Sequence, residues 1–291
     1  MTDKTESTVL VLGATGMLGN AMLRLLGDSP GIHVVGSARS IAGVRLLRKD
    51  LQDLVHVGVD AENPDALAKL LGLVRPHVVI NCIGLIKQLV DADDPPAAIA
   101  INSLLPHRLS RLCSLMGARL VHISTDCVFA GTRGLYREDD VPDAQDLYGR
   151  SKLLGEVTNE DHAVTLRTSF IGHELATAHG LVGWFLAQEG SVQGYRKAVF
   201  SGLPTVELAR IIRDHVLPHP SLSGLYQVSA NPIDKLTLLQ LVAAEYGHDI
   251  DIVTNERVTI DRSLDSTRFR SATGYQPPNW DELVRSMRAF G

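Results

Sequence analysis

Tyr148 and Lys152 stand at i and i+4 in Tyr148-Gly149-Arg150-Ser151-Lys152, a spacing that puts a phenol and an ammonium on one face of a helix. A free phenol has a pKa of about 10, and stabilising its anion by about three units takes roughly 4 kcal/mol. A neighbouring lysine can supply part of that, which would make Tyr148 a proton donor and acceptor. Two hydroxyls precede the pair in Ser124-Thr125-Asp126-Cys127-Val128-Phe129, directly after the strand-like run Arg119 to Ile123. Successive strand residues point to opposite faces, so one of Ser124 and Thr125 is expected to hold a substrate carbonyl oxygen. The plain alternative is a helix-surface pair without chemistry.

Such a pair needs a redox partner held against it. Val9-Leu10-Val11-Leu12-Gly13-Ala14-Thr15-Gly16-Met17-Leu18-Gly19 runs from a buried strand into glycines spaced i, i+3, i+6, and Asn20 to Leu26 reads as the helix that follows. Backbone without Cβ atoms lets a pyrophosphate reach amide N–H groups at the positive end of a helix, so this reads as a dinucleotide site. The positive nicotinamide of an oxidised dinucleotide is a second charge that would favour the phenolate.

A second strand, Ile32 to Gly36, ends in Ser37-Ala38-Arg39-Ser40. A free ribose 2′-hydroxyl is usually held here by Asp or Glu, whereas a 2′-phosphate wants a cation and hydroxyl donors, so NADP is favoured and NADH is the alternative. A third strand, Val55 to Val59, leads to Asp60 and Ala61. Asp60 either accepts from the adenine amino group or caps the helix that begins near Pro64. A fourth strand, His77 to Cys82, is followed by Ile83-Gly84, a small-residue turn that would let the chain pass the cofactor's ribose and nicotinamide. A polar loop from Gly84 to Pro96 carries Lys87 and Gln88, and the helix Ala97 to Met116 contains Asn102. Five strand–helix alternations mean a parallel sheet covered on both faces, with ligands at the carboxyl ends of its strands.

The glycine turn, Ser124 to Phe129, Tyr148 to Lys152 and Leu166-Arg167-Thr168-Ser169 together resemble the extended short-chain dehydrogenase/reductase superfamily, and within it the dTDP-4-dehydrorhamnose reductase family, over nearly the whole chain. The resemblance implies a Rossmann-type doubly wound α/β fold with a smaller C-terminal substrate-binding lobe. It implies Thr125, Tyr148 and Lys152 as the catalytic set and NADPH as hydride donor to the 4-keto group of a nucleotide-activated deoxysugar. Asn102 would correspond to the asparagine that orders a relay water. The cofactor would touch Gly13, Thr15, Gly16, Met17, Leu18, Gly19, Arg39, Ser40, Asp60, Ala61, Cys82, Ile83, Gly84, Asn102, Tyr148 and Lys152. The substrate would touch Lys87, Thr125, Asp126, Trp184, Arg196 and Arg262. The chain departs from the family at Cys127, where tyrosine is common, and at Gly84 to Gln88, which replaces an Ala-rich segment. Another nucleotide-sugar epimerase, or a reductase of an N-acetylated 6-deoxyhexulose, is an alternative on the same fold. So is a non-catalytic regulatory subunit, as in methionine adenosyltransferase.

After a sixth strand, Ala163 to Thr168, the alternation breaks down, which divides the chain into a nucleotide-binding domain over 1–168 and, over 169–291, mainly a substrate lobe with segments returning to the first. The Tyr148 helix is expected to run towards Asp161. Gly190 to Pro204 reads as a hairpin whose tip, Arg196 and Lys197, suits a diphosphate. Trp184 and Phe185 open a short apolar helix that packs under substrate or in the core. Helices follow at Thr205 to Val216 and Lys235 to Tyr246, with a strand Gly224 to Val228 between them, and Trp280 and Phe290 read as anchors of a last helix. His173, Glu174 and His179 match no metal-ligand spacing, so no metal is expected.

The 291 residues carry a net charge of −5 without a basic stripe, which argues against a nucleic-acid partner. Three cysteines, Cys82, Cys113 and Cys127, make no disulfide framework and fit a reducing, cytoplasmic location. No run approaches the roughly twenty apolar residues of a membrane span. A homodimer is compatible with the sequence, which does not fix the oligomeric state.

Overall fold

A computed structural model describes residues 6–85 and 94–291. At its centre β1 (Ser7–Leu12), β2 (Ile32–Ala38), β3 (Val55–Val57), β4 (Val78–Asn81), β5 (Arg119–Thr125), β6 (Ala163–Thr168) and the strand Gly224–Gln227 form one sheet. The spatial order is Gly224–Gln227, β6, β5, β4, β1, β2, β3, with every pairing parallel. This is the Rossmann-type doubly wound arrangement. The order in which successive strands are added reverses between β1 and β4, which leaves a crevice at their carboxyl ends.

The apolar run of β1 is continuous because both its faces are covered. Val9 and Val11 pack with Leu18, Met22 and Leu23 of α1 (Met17–Gly27), while Leu10 and Leu12 pack on the other face with Leu67, Leu71, Leu105 and Leu109. All of these are at most 3% exposed, and each such side chain contributes about 1.5–3 kcal/mol through burial. Helix α1 begins at Met17 rather than Asn20, because Gly16 is its N-cap and Gly19 already lies in its first turn. A Cβ on Gly19 would sit 2.0 Å from the Gly13 carbonyl oxygen, so the helix can start this close to the strand only with hydrogen there.

Several elements differ from the sequence expectation for identifiable reasons. β5 continues past Ile123 through Ser124 and Thr125, which are buried at the strand end. The Tyr148 helix spans only Leu147–Leu154. It stops where a Cβ on Gly155 would meet the Asn102 carbonyl oxygen at 1.9 Å. Beyond that glycine the chain turns Glu156 inward onto Arg167 of β6, with both carboxylate oxygens 2.7 Å from guanidinium nitrogens.

In the second half, Ser191–Tyr195 and Ala198–Phe200 are not a hairpin. The first pairs parallel with Asp251–Asn255, and the second lies between Ile233–Asp234 and Ile260–Asp261. Alternation in sequence reports which face a residue takes, not which strand it pairs with. The Gly224–Gln227 strand returns to the main sheet beside β6, and the helix Thr205–Ile211 packs on α1. The last helix, Trp280–Phe290, buries Trp280, whose indole N–H donates to the Asn231 carbonyl at 2.7 Å, and sets Phe290 beneath Arg24 of α1. Among the described residues no helix is long and apolar enough to cross a membrane.

The side chains of Arg167 and Glu156 are each 4% exposed, so breaking the pair strands a buried charge. Glu156→Gln should lower unfolding free energy by about 3–5 kcal/mol in urea titration, whereas the double change Glu156→Leu, Arg167→Met should recover most of the loss. A single-variant loss under about 1 kcal/mol would show that the pair does not hold the helix end to the sheet.

Candidate active site

The glycine turn is built to admit a ligand's backbone contacts. Gly13 has φ +78°, and a Cβ there would meet Ile83 Cγ1 at 3.0 Å, so the turn and the end of β4 approach as only glycine allows. No side chain caps α1 and its first turn holds no acid, which leaves N–H groups and the positive helix end facing the crevice. These features fit a dinucleotide pyrophosphate. Thr15 packs its methyl near Gly43, and Met17 and Leu18 border the cleft.

At the end of β2, Arg39 and Ser40 are exposed and Ser37 is buried. Ser40 is the N-cap of the short helix Ile41–Val44, its hydroxyl accepting from the Gly43 N–H at 3.5 Å. Asp60 is exposed and accepts from the Glu62 N–H at 3.0 Å, with Ala61 buried beside it. The cap of the helix Pro64–Val74 is Asn63 and not Asp60, which removes one of the two readings of that carboxylate.

Thr125, Tyr148 and Lys152 meet on the wall of a cleft of about 550 Å³ at the carboxyl edge of the sheet, together with Cys82, Ile83 and Gly84. The two hydroxyls at the end of β5 divide as the alternation of strand faces requires. Ser124 donates to Glu156 Oε1 at 2.7 Å, whereas Thr125 lines the cleft with Tyr148, its hydroxyl accepting from the Cys127 N–H at 3.1 Å and donating to Asp126 Oδ1 at 3.2 Å. Lys152 is 5% exposed and donates from Nζ to the Ile123 carbonyl at 2.8 Å. Burial lowers its pKa to about 8, with Glu156 acting the other way. The phenol of Tyr148 is held above its ordinary range by burial and then by Cys127, with Thr125 opposing. It therefore keeps its proton at neutral pH.

Asn102 lies on a π-helical turn, Ile99–Leu104, and is buried. Its amide accepts from the Leu85 N–H at 2.9 Å and donates to Ser151 Oγ at 3.2 Å, tying the segment after β4 to the Tyr148 helix. A Cβ on Gly84 would lie 3.5 Å from Asn102 Oδ1 and 3.8 Å from Lys152 Nζ, so the chain passes close over both.

Farther along the cleft, Asp126 is buried, which raises its pKa, while Arg262 opposes. Arg262 donates from Nε to the Phe129 carbonyl at 2.7 Å. Two expected substrate contacts lie elsewhere. Trp184 is 39% exposed and off the cleft, which takes Leu181 from the same helix instead. Arg196 is exposed, its N–H bonded to Asn255, and Lys197 pairs with Glu256 at 3.1 Å, because the strands flanking them join different sheets. Lys87 and Gln88 lie outside the described residues. The cleft also takes Tyr195 and Lys235, which sequence reasoning passed over. Lys235 opens a helix directly after an N-cap aspartate, an ordinary helix start with no local sign of a site. His173 bonds the Tyr246 hydroxyl and Glu174 bonds Gly180 and Thr177; among the described residues no group of His, Cys, Asp or Glu is placed to hold a metal.

Lys152 generates a pH-dependent stability. Folded, its amine titrates near 8 against 10.5 unfolded, so the cost of the desolvated ammonium is carried in full below pH 8 and relieved as pH rises through that window. Wild type should therefore gain on Lys152→Met by roughly 3 kcal/mol across the window in urea titrations. Parallel pH curves would contradict the desolvated ammonium.

Residues 7–199 match the family model described as the RmlD substrate binding domain. The chain is 33% identical over 161 residues to methionine adenosyltransferase 2 subunit beta of Xenopus tropicalis, a match covering 54% of this chain and 45% of that protein. It thus spans about half the length of that relative. To dTDP-4-dehydrorhamnose reductase of Aggregatibacter actinomycetemcomitans it is 24% identical, over 97% of this chain and 98% of the other. The solved structure of dTDP-4-dehydrorhamnose reductase from Bacillus anthracis in complex with NADP superposes with a TM-score of 0.80 at 21% identity, covering 98% of this chain and all of that one. That likeness establishes a shared fold, and with two thirds of its length matched by the family model, the chain belongs to the family of the RmlD substrate binding domain, within the extended short-chain dehydrogenases/reductases.

Proposed function

We propose that this protein is an NADPH-dependent reductase of the 4-keto group of a nucleotide-activated deoxysugar. The observation that carries the reading is the meeting of Thr125, Tyr148 and Lys152 on one cleft wall beside the Gly84 segment and the open end of α1. The family and the full-length match to a dTDP-4-dehydrorhamnose reductase support it.

When bound, NADPH supplies a hydride from its nicotinamide. The glycine turn and the first N–H groups of α1 would hold its pyrophosphate, and Arg39 would hold its 2′-phosphate. Thr125 holds the substrate carbonyl oxygen, and Tyr148, which enters the reaction protonated, gives its proton to that oxygen as charge develops there. Lys152, fixed on the Ile123 carbonyl, stabilises the phenolate left behind. Asn102 holds the segment after β4 against the Tyr148 helix, which keeps the cofactor side and the proton-donating side of the cleft in register.

A second reading is a non-catalytic, dinucleotide-binding subunit, favoured by the relatives named as subunit beta of methionine adenosyltransferase 2. Capture of a partner enzyme, without ketone-dependent oxidation of NADPH, would select it.

Tyr148→Phe should cut ketone-dependent NADPH oxidation at least about a hundredfold while leaving cofactor affinity near wild type. Unaltered turnover would remove Tyr148 from the mechanism. Separately, Arg39→Ala should shift cofactor preference towards NADH by about tenfold or more, in line with loss of a charge-assisted phosphate contact. An unchanged ratio of NADPH to NADH affinity would place the 2′-phosphate elsewhere.

A further inference from the structure

The reading of the cleft as a nucleotide-sugar site leaves the substrate's negative charge without a holder, since Arg196 and Lys197 stand off the cleft. Two other cations line it. Arg262 follows the strand Ile260–Asp261, and Lys235 is the first residue of the helix Lys235–Tyr246.

Lys235 is unfavourably set for a structural residue. A cation in the first turn of a helix opposes the macrodipole. The neighbouring N-cap, Asp234, is committed to Thr237, accepting from its N–H at 3.0 Å and its hydroxyl at 2.7 Å. Lys235 is half-buried, and among the described residues neither it nor Arg262 makes an ion pair. The carboxylate whose field reaches both, Asp126, is itself buried and takes a bond from the Thr125 hydroxyl at 3.2 Å. Burial accordingly lowers the pKa of the Lys235 amine. Arg262 spends its Nε–H on Phe129, which fixes the plane of the guanidinium and leaves its terminal N–H groups uncommitted among the described residues. Tyr148, Lys235 and Arg262 all line this one cleft.

Two under-compensated cations in one cleft call for an anion with oxygens to spare. We propose that Lys235 and Arg262 together bind the diphosphate of the substrate, with Lys235 selecting diphosphate-activated sugars over free ones. The diphosphate is the fixed charge that every nucleotide diphosphate sugar carries, and it would neutralise both side chains at once. The proposal rests on the nucleotide-sugar reading but concerns a binding step that is measurable without turnover.

The test is calorimetric titration of the NADP-saturated protein with inorganic pyrophosphate, so that the phosphate sites of the cofactor are already filled. Wild type should bind it, Lys235→Met should bind about tenfold or more weakly, and Lys235→Arg should recover most of the affinity. NADP affinity and the thermal midpoint of each variant, measured in parallel, show that the fold and cofactor site persist. Equal pyrophosphate affinity in wild type and Lys235→Met, or none in either, overturns the proposal. A loss seen with glucuronate but not with pyrophosphate would do so too, because it would make the ligand a sugar carboxylate. Ketone-dependent NADPH oxidation is scored alongside. Turnover with an unchanged KM in Lys235→Met would sink the clamp and leave the reductase reading standing, whereas an inert wild type whose pyrophosphate binding depends on Lys235 would do the reverse.

Discussion

The contact on which the site depends is that of the Lys152 ammonium with the Ile123 carbonyl. It places a nearly fully desolvated amine at the end of a central strand, where burial, against the opposing field of Glu156, brings its pKa down to about 8. A lysine left free would turn its charge to water. Here the ammonium is held by β5 while the Gly84 segment passes close by, so its field is less screened than it would be in water.

Several surrounding features can be understood as consequences of keeping that amine in place. The helix that carries it is short, yet Gly155 lets it abut the Asn102 backbone, and Glu156 immediately locks onto Arg167 and Ser124. Asn102 ties the opposite side of the same helix to Leu85. Beneath the cleft, Asn81 bonds the ring of His122, which burial and then Lys152 keep far below its ordinary pKa, and it also accepts from the Ile83 N–H at 3.1 Å. The polar groups under the cleft thus tie the segment after β4 to the central strands and to the Tyr148 helix.

What could be read from sequence followed from how local the physical demand is. Gly13 and Gly19 were legible because only a residue without a Cβ fits a positive φ or a 2.0 Å approach to a carbonyl. Tyr148 and Lys152 were legible because one helical turn sets their relation. The division of labour between Ser124 and Thr125 was predictable in kind, since neighbours on a strand face opposite ways, but the recipient of Ser124 is Glu156, thirty-two residues on. Arg196 was placed at the tip of an expected hairpin, and its position depends instead on flanking strands that pair with partners far along the chain, while Trp184 begins no helix but sits within Leu181–Leu186, whose Leu181 takes the cleft. Lys235 gave no signal because its helix start is locally unremarkable, and only the tertiary fold brings it to the cleft that Asp126 also lines.

The central claim is that this buried amine and the neighbouring phenol serve the reduction of a sugar ketone. It is tested most directly by incubating the protein with NADPH deuterated at the nicotinamide C4 and a panel of 4-keto nucleotide sugars, then locating the label by mass spectrometry and NMR. The account predicts deuterium on the former carbonyl carbon of at least one product, in amounts matching the NADPH consumed. Ketones recovered unlabelled and unreduced across the panel, with the cofactor bound but intact, would contradict it.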